Sequence, residues 1–136
     1  MKNGILKLAL LSFASVLLFA ACERKQPTPV GGKGGKGGNA TLKVTPQHHG
    51  ENIDSCTIYL KYNAQDKPSA YDEEVKCVKE NGKPVATFTN LNKGNYYVYG
   101  DGWDPDIEQE VEGGIPYTIT EETTKEITVP VTEKGH

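Results

Sequence analysis

The sequence predicts an all-β protein, a seven-stranded β-sandwich that follows a signal peptide and a disordered tether rich in glycine and lysine. Three features of residues 39–134 lead to this fold class. Apolar and polar residues alternate in short runs, turn-forming residues separate the runs, and no stretch has a convincing helical period. Because a chain of about 100 residues can bury one core but not two, these runs belong to a single sandwich domain.

The alternating runs define the seven strands, and the last of them contains Pro130. Proline cannot donate a hydrogen bond to a neighbouring strand, so we expect this strand to lie at an edge or to turn that position toward solvent. The predicted strands cover residues 40–46, 56–63, 73–80, 83–91, 94–103, 114–122 and 124–131.

The pair Asn81-Gly82 predicts the register of one hairpin. Both central residues of a type I′ turn need a positive φ, which asparagine and glycine adopt readily. A two-residue loop at this pair places Val78 opposite Val85 and Val75 opposite Phe88.

Two cysteines fall at inward positions of their predicted strands. Cys56 shares a face with Ile58 and Leu60, and the hairpin register turns Cys77 to the same side as Val75. In an exported domain such a pair is a candidate for a disulfide, which would close a loop of about 20 residues and stabilise the fold by roughly 3 kcal/mol. The alternative is two buried free thiols that pack as small apolar residues.

The first residues have the parts of a secretory signal. Two lysines precede an apolar stretch of 14 residues from Leu8 to Ala21, which is short of the roughly 20 that a membrane-spanning helix needs. The junction Phe19-Ala20-Ala21-Cys22 resembles the lipobox of bacterial lipoproteins, with Phe19 in place of the usual leucine. This resemblance implies that residues 1–21 are removed and that Cys22 is acylated and held in the membrane lipid. The alternative is an ordinary signal peptide followed by an incidental cysteine.

Residues 22–38 are predicted to form a flexible tether. This segment contains three glycine pairs and two prolines and has a net charge of +3. It cannot bury enough apolar surface to offset the entropy of the chain, so we expect it to be disordered. Residues 39–136 carry 9 lysines and 17 carboxylates, a net charge of −8, which argues against nucleic acid as a partner.

A corner between two strands carries a resemblance to known families. In residues 86–100, the inward Phe88 leads to Leu91, Gly94 and Tyr96, and Val98 follows. This pattern resembles the transthyretin-like sandwiches, namely the carboxypeptidase regulatory-like domains and the collagen-adhesin B-type repeats. The resemblance covers about residues 39–132 and implies an immunoglobulin-like or prealbumin-like β-sandwich. Because such domains serve as spacers, stalks, adhesins and accessory modules, the resemblance does not name one function.

The sequence has none of the familiar catalytic motifs, such as a nucleophile elbow, a phosphate loop or a zinc-protease helix. His48 and His49 would point to opposite faces of an extended chain, so we expect no shared metal between them. We therefore expect a protein that is not an enzyme and has no cofactor. A small hydrolase or a ligand carrier is the alternative.

Strand 94–103 is predicted to turn aromatic rings outward, because its intervening residues face the core. Rings rimmed by carboxylates suit a glycan or a protein of the cell envelope, and the alternative is that the rings only cover the sheet. The candidate ligand-binding residues are Tyr97, Tyr99, Trp103, Asp101 and Asp104.

Residues 101–112 contain six carboxylates and no base. Asp101, Asp104 and Asp106 are weak candidates for calcium ligands, although their spacing departs from the EF-hand pattern. A solvated acidic loop is the alternative.

Together these features predict a lipid-anchored, non-enzymatic binding or accessory module of a bacterial cell envelope. We expect it at the outer membrane, with the periplasmic side and the cell surface both left open. A calcium-dependent adhesin or a glycan-binding surface protein is the alternative.

Overall fold

A computed structural model describes residues 33–135 and confirms the all-β class, with two packed sheets and ten strands rather than seven. The predicted signal peptide and the first part of the predicted tether, including Cys22, lie outside the described residues. No helix within residues 33–135 is long and apolar enough to cross a membrane. The strands are β1 Lys36–His48, β2 Glu51–Asn52, β3 Ser55–Tyr62, β4 Glu73–Lys76, β5 Val78–Glu80, β6 Lys83–Leu91, β7 Gly94–Asp104, β8 Gln109–Ile119, β9 Thr124–Pro130 and β10 Thr132–Glu133.

The two sheets have different topologies. In the first, the strand order is β2-β1-β6-β5, and β9 adds to β1 in parallel. In the second, the order is β10-β8-β7-β3-β4, and all neighbours are antiparallel. The predicted edge position of the last long strand is confirmed, because β9 pairs only with β1 among the described strands and Pro130 is exposed.

Alternate residues of the facing strands form one core between the sheets. Burying each large apolar side chain of such a core contributes roughly 1.5–3 kcal/mol, which makes this interface the main source of stability. Its largest members are Leu42, Val44, Ile58, Leu60, Phe88, Leu91, Tyr96, Val98, Val111, Ile119, Val129 and Val131.

The corner before β7 is closed by Tyr96. Its ring is fully buried. Its hydroxyl donates to the carbonyl of Asn92 at 2.7 Å and accepts from the N–H of Gly35 at 2.8 Å. The second bond ties residues assigned to the tether into the domain, and β1 begins at Lys36 rather than at residue 40. Residues 36–38 therefore belong to the sandwich, which corrects the predicted tether of residues 22–38.

The predicted strand 73–80 is in fact two strands that belong to different sheets. The hairpin at Asn81-Gly82 has the expected positive φ values of 51° and 83°, and Val78 pairs with Val85 as predicted. On the N-terminal side of Cys77, however, the chain does not pair with β6 but with β3. Val75 therefore lies opposite Ile58 instead of Phe88. The register from the turn holds only up to this crossing between the sheets.

The predicted disulfide is not formed in the structure, in which Cys56 and Cys77 are free thiols. The two residues are nevertheless neighbours across β3 and β4, because the N–H of Cys77 donates to the carbonyl of Cys56 at 2.9 Å. Cys56 is buried and Cys77 is half-buried. Hydrogen bonding between the thiols lowers the pKa of Cys77 and, together with burial, raises the pKa of Cys56.

Candidate functional site

Strand β7 turns one row of side chains into the core and the other row outward, as predicted. Tyr96 and Val98 are fully buried between the sheets. Tyr97, Tyr99 and Trp103 lie on the opposite face, where β3 and β8 flank the strand. This face holds the predicted aromatic row, but its three rings differ in exposure.

The segment between β3 and β4 covers Tyr99, which is 8% exposed instead of facing solvent as predicted. Tyr71 of this segment stacks on it, with 5.5 Å between ring centroids, and the ammonium of Lys67 lies 4.9 Å from the ring centroid. Tyr59 packs beside it from β3, and the Tyr99 hydroxyl donates to Glu112. The ring is part of an outer aromatic cluster, because residues 63–72 cover a face that alternation along β7 alone would leave open.

Burial also changes the chemistry of these hydroxyls. It raises the pKa of Tyr71 to about 12. Burial and the hydrogen bond to Glu112 raise the pKa of Tyr99 well above its ordinary value. Both tyrosines therefore stay neutral at physiological pH and act as packing groups.

Only the end of the aromatic row is open. Tyr97 is half-buried because its ring lies over Gly114, where a Cβ atom would come within 2.7 Å of the ring carbon Cε2. Trp103 is 42% exposed and is the one exposed aromatic side chain of residues 33–135. The predicted three-ring surface is thus reduced to Trp103.

Trp103 lines two open grooves, of which the first is mainly polar and the second mixed. The first, of about 430 Å³, is also lined by Ser55, Lys76 and Lys134. The second, of about 420 Å³, is lined mainly by residues of the 51–55 and 104–106 segments. An indole ring bordered by hydroxyl, ammonium and carboxylate groups can stack on a ligand while its neighbours exchange hydrogen bonds with it.

Asp101 lies on this outer face, but it is not a free carboxylate. The Lys134 ammonium lies 3.1 Å from Asp101 Oδ1 and 3.0 Å from Glu110 Oε1. These two partners, with Glu110 the stronger, raise the pKa of Lys134. The rim of the first groove therefore presents both signs of charge.

Asp104 points away from this face, although it also lines the second groove beside Trp103. Residues three apart on an extended strand point to opposite sides, so Asp104 faces inward and is 6% exposed. Its Oδ2 accepts from Nδ1 of His48 at 2.7 Å, and its Oδ1 accepts from the N–H of Asp106 at 3.0 Å. The bond from His48 lowers the pKa of Asp104.

The candidate calcium site is wrong for the same reason. Asp101 and Asp104 lie on opposite faces of β7, the first bound to Lys134 and the second to His48. The three carboxylates of Asp101, Asp104 and Asp106 therefore do not converge on one cation.

A cluster around His48 was missed at the sequence level. His49 and Gly50 have φ values of 52° and 82°, which makes a two-residue turn that pairs His48 with Glu51. The turn folds His49 back, so that the two imidazole centroids are 4.0 Å apart instead of on opposite faces. Glu133 Oε2 lies 3.0 Å from His48 Nε2 and 3.8 Å from His49 Nε2. The signal was His49-Gly50 itself, since histidine is among the residues enriched at positive φ.

No protein-family model matches this chain, and neither a curated protein nor a solved structure matches it. The resemblance of residues 86–100 to transthyretin-like sandwiches therefore stays a prediction.

Proposed function

We propose that this chain is a lipid-anchored module of a bacterial cell envelope that binds its ligand, without catalysis, in the grooves beside Trp103. The observation that carries the binding role is the exposure of this single indole beside two open grooves, the first of them mainly polar. The hydroxyls and mixed charges around the ring favour a polyhydroxylated ligand such as an envelope glycan. Sugar faces stack on aromatic rings, and sugar hydroxyls pair with carboxylate and ammonium groups.

The direction in which the tether leaves the sandwich supports an anchored role. The N–H groups of Gly34 and Gly35 are bound by Asn63 and Tyr96, at the start of β7. Trp103 lies seven residues further along this strand, a distance of about 24 Å at 3.4 Å per residue. A membrane anchor that pulls on the N-terminus would therefore leave the grooves at the far end of the domain.

The anchor itself rests on the lipobox-like junction at Cys22. Lys33, the first described residue, follows it by eleven positions, which span at most about 40 Å when extended. The basic residues of this segment suit anionic headgroups, and the acidic sandwich is repelled by them. The short basic tether keeps the domain close to the membrane, and the repulsion of the sandwich leaves it free to meet ligands.

We also propose that Cys56 and Cys77 form a disulfide in the exported protein. Residues directly opposite each other on antiparallel strands have Cα atoms about 4.5–5.5 Å apart, within the range that a disulfide spans. An external protein disulfide would accept the two electrons and two protons that the thiols give up. Thiol titration of the denatured, unreduced protein should give no free thiol per chain and two after reduction. Two thiols before reduction would contradict the bond.

The binding role is tested with fragments of peptidoglycan and surface polysaccharide. Because Trp103 is the only tryptophan of the chain, its fluorescence should change saturably when a fragment binds. In equilibrium dialysis, Trp103→Ala should weaken binding at least about tenfold, with a change in unfolding free energy within about 0.5 kcal/mol, as expected for an exposed position. Val78→Ala is the matched control, since Val78 is 60% exposed on the other sheet.

Two results would contradict this role. If Trp103→Ala binds the fragments as the wild type does, the grooves beside Trp103 are not the binding site. A loss of several kcal/mol in stability would identify the ring as part of the packing.

A further inference from the structure

The end of the sandwich next to β10 brings two imidazoles and one carboxylate together. His48 closes β1, His49 occupies the turn after it, and Glu133 comes from β10 of the other sheet. One ligand atom from each of the three side chains lies within 4.8 Å of the others. From this arrangement we propose a binding site for a divalent ion of the zinc type, formed by His48, His49 and Glu133.

The orientation of His48 is the strongest part of this inference. The side chain is 2% exposed, and its Nδ1 lies 2.7 Å from Asp104 Oδ2. A carboxylate accepts only, so Nδ1 carries the proton and a neutral ring has its lone pair on Nε2. A metal-bound histidine is commonly held in this way, by a carboxylate on its other nitrogen. Asp104 is therefore a positioning residue for the site.

Nε2 of His48 has no partner that satisfies it. The atom is buried and has no hydrogen bond within the described residues. The oxygen of Glu133 lies 3.0 Å away as an ion-pair contact, but the contact does not have the geometry of a hydrogen bond. A buried lone pair beside a carboxylate oxygen is unfavourable unless a positive charge lies between them. A metal ion at this point satisfies both atoms.

The distances from Glu133 are close to those around a tetrahedral ion. Zinc bonds to nitrogen and oxygen are about 2.0–2.2 Å long, which places neighbouring ligand atoms about 3.3–3.6 Å apart. The two measured separations from Glu133 Oε2, 3.0 and 3.8 Å, fall on either side of this range. His49 is 76% exposed at its side chain and is free to adjust. Two imidazoles and one carboxylate suit zinc rather than calcium, and three protein ligands leave a fourth position open.

The location indicates what the ion does to the fold. His48 and Glu133 belong to different sheets, so a shared ion links the two layers. Such a ligand binds the folded state and not the unfolded one, and stabilises the fold by mass action. The three ligands do not line the Trp103 grooves, although Asp104 borders the second one, and this proposal does not depend on the proposed glycan role.

The test is zinc titration of the full chain, purified in detergent without a histidine tag and treated with a chelator. Calorimetry should give one zinc per chain, and a hundredfold excess over Kd should raise Tm by about 10 °C or more. Cobalt should give the visible absorption of a tetrahedral site, and calcium should give neither effect.

The variants separate ligands from neighbours. His49→Ala and Glu133→Gln each remove a ligand at an accessible position and should weaken zinc binding at least about tenfold. Asp104→Asn should weaken it about 10–100-fold through His48. Glu51→Gln is the matched control, because Glu51 is an exposed carboxylate of the same hairpin and lies outside the cluster. Two results would contradict the proposal. The first is that zinc does not bind stoichiometrically, as expected when His48 is an imidazolium between two carboxylates. The second is that His49→Ala and Glu133→Gln bind zinc like the wild type.

Discussion

Two tyrosine hydroxyls are buried in this fold, one with hydrogen-bond partners and one without. The hydroxyl of Tyr96 both donates to Asn92 and accepts from Gly35. The hydroxyl of Tyr71 is buried and has no hydrogen-bond partner within residues 33–135. Since a buried polar group stabilises a fold only when it is hydrogen-bonded, the same substitution at the two positions should have different effects.

Tyr96→Phe should destabilise the protein by about 1–3 kcal/mol. The substitution keeps the ring in the core but leaves the carbonyl of Asn92 and the N–H of Gly35 without this partner. Urea unfolding measures the change. An unaltered midpoint would mean that the corner is held by packing alone.

Tyr71→Phe should leave stability at pH 7 unchanged or slightly higher, because it removes an unsatisfied hydroxyl. It should also reduce the loss of stability in alkali. Burial raises the pKa of Tyr71 to about 12 from an ordinary value of 10. Between these pH values the unfolded chain loses this proton and the folded chain keeps it, so stability falls as pH rises from 10 to 12. Urea midpoints of both proteins across this range test the prediction, and a clear destabilisation at pH 7 would reveal a bonded hydroxyl.

At the scale of elements, β1 begins earlier in the structure than the sequence predicted, at Lys36 instead of residue 40. A Cβ atom at Gly38 would lie 2.3 Å from the carbonyl oxygen of Leu91. Gly38→Ala should therefore destabilise the protein by about 1–3 kcal/mol, because backbone atoms would have to move. Gly31→Ala is the control, since the sequence places Gly31 in the tether. If neither substitution changes the midpoint of thermal unfolding, residues 36–38 would belong to the tether and not to the sandwich.

Strands with local signals at both ends were predictable. β6 has the predicted bounds, because the Asn81-Gly82 turn precedes it and the corner at Gly94 follows it. β2 and β10 have two residues each, too few to show a period of two. The crossing at Cys77 depends on which sheet offers a partner strand, and that choice is not contained in the local pattern.

The candidate site was predictable to the same extent. Alternation predicted the outward direction of Tyr97, Tyr99 and Trp103, because direction is a property of one strand. It did not predict that residues 63–72 cover Tyr99, since this depends on the packing of a distant segment. The cluster of His48 and Glu133 joins residues 85 positions apart, which no local spacing reveals.

At the scale of the whole molecule, charge and chain direction support one arrangement. The tether enters near Tyr96, the grooves lie near Trp103 at the other end of β7, and the sandwich between them is acidic. Anchoring at the N-terminus would therefore present the grooves away from an anionic membrane surface. This arrangement depends on whether Cys22 is the point of attachment to the membrane.

Mass spectrometry of the N-terminal peptide tests this most directly, on the full chain expressed in a bacterium and recovered from membranes. The account predicts a mature chain that begins at Cys22 and carries a thioether-linked diacylglycerol, and a Cys22→Ala variant that is unlipidated and leaves the membrane fraction. A mature chain with an unmodified Cys22, or a Cys22→Ala protein that stays bound to membranes, would contradict it.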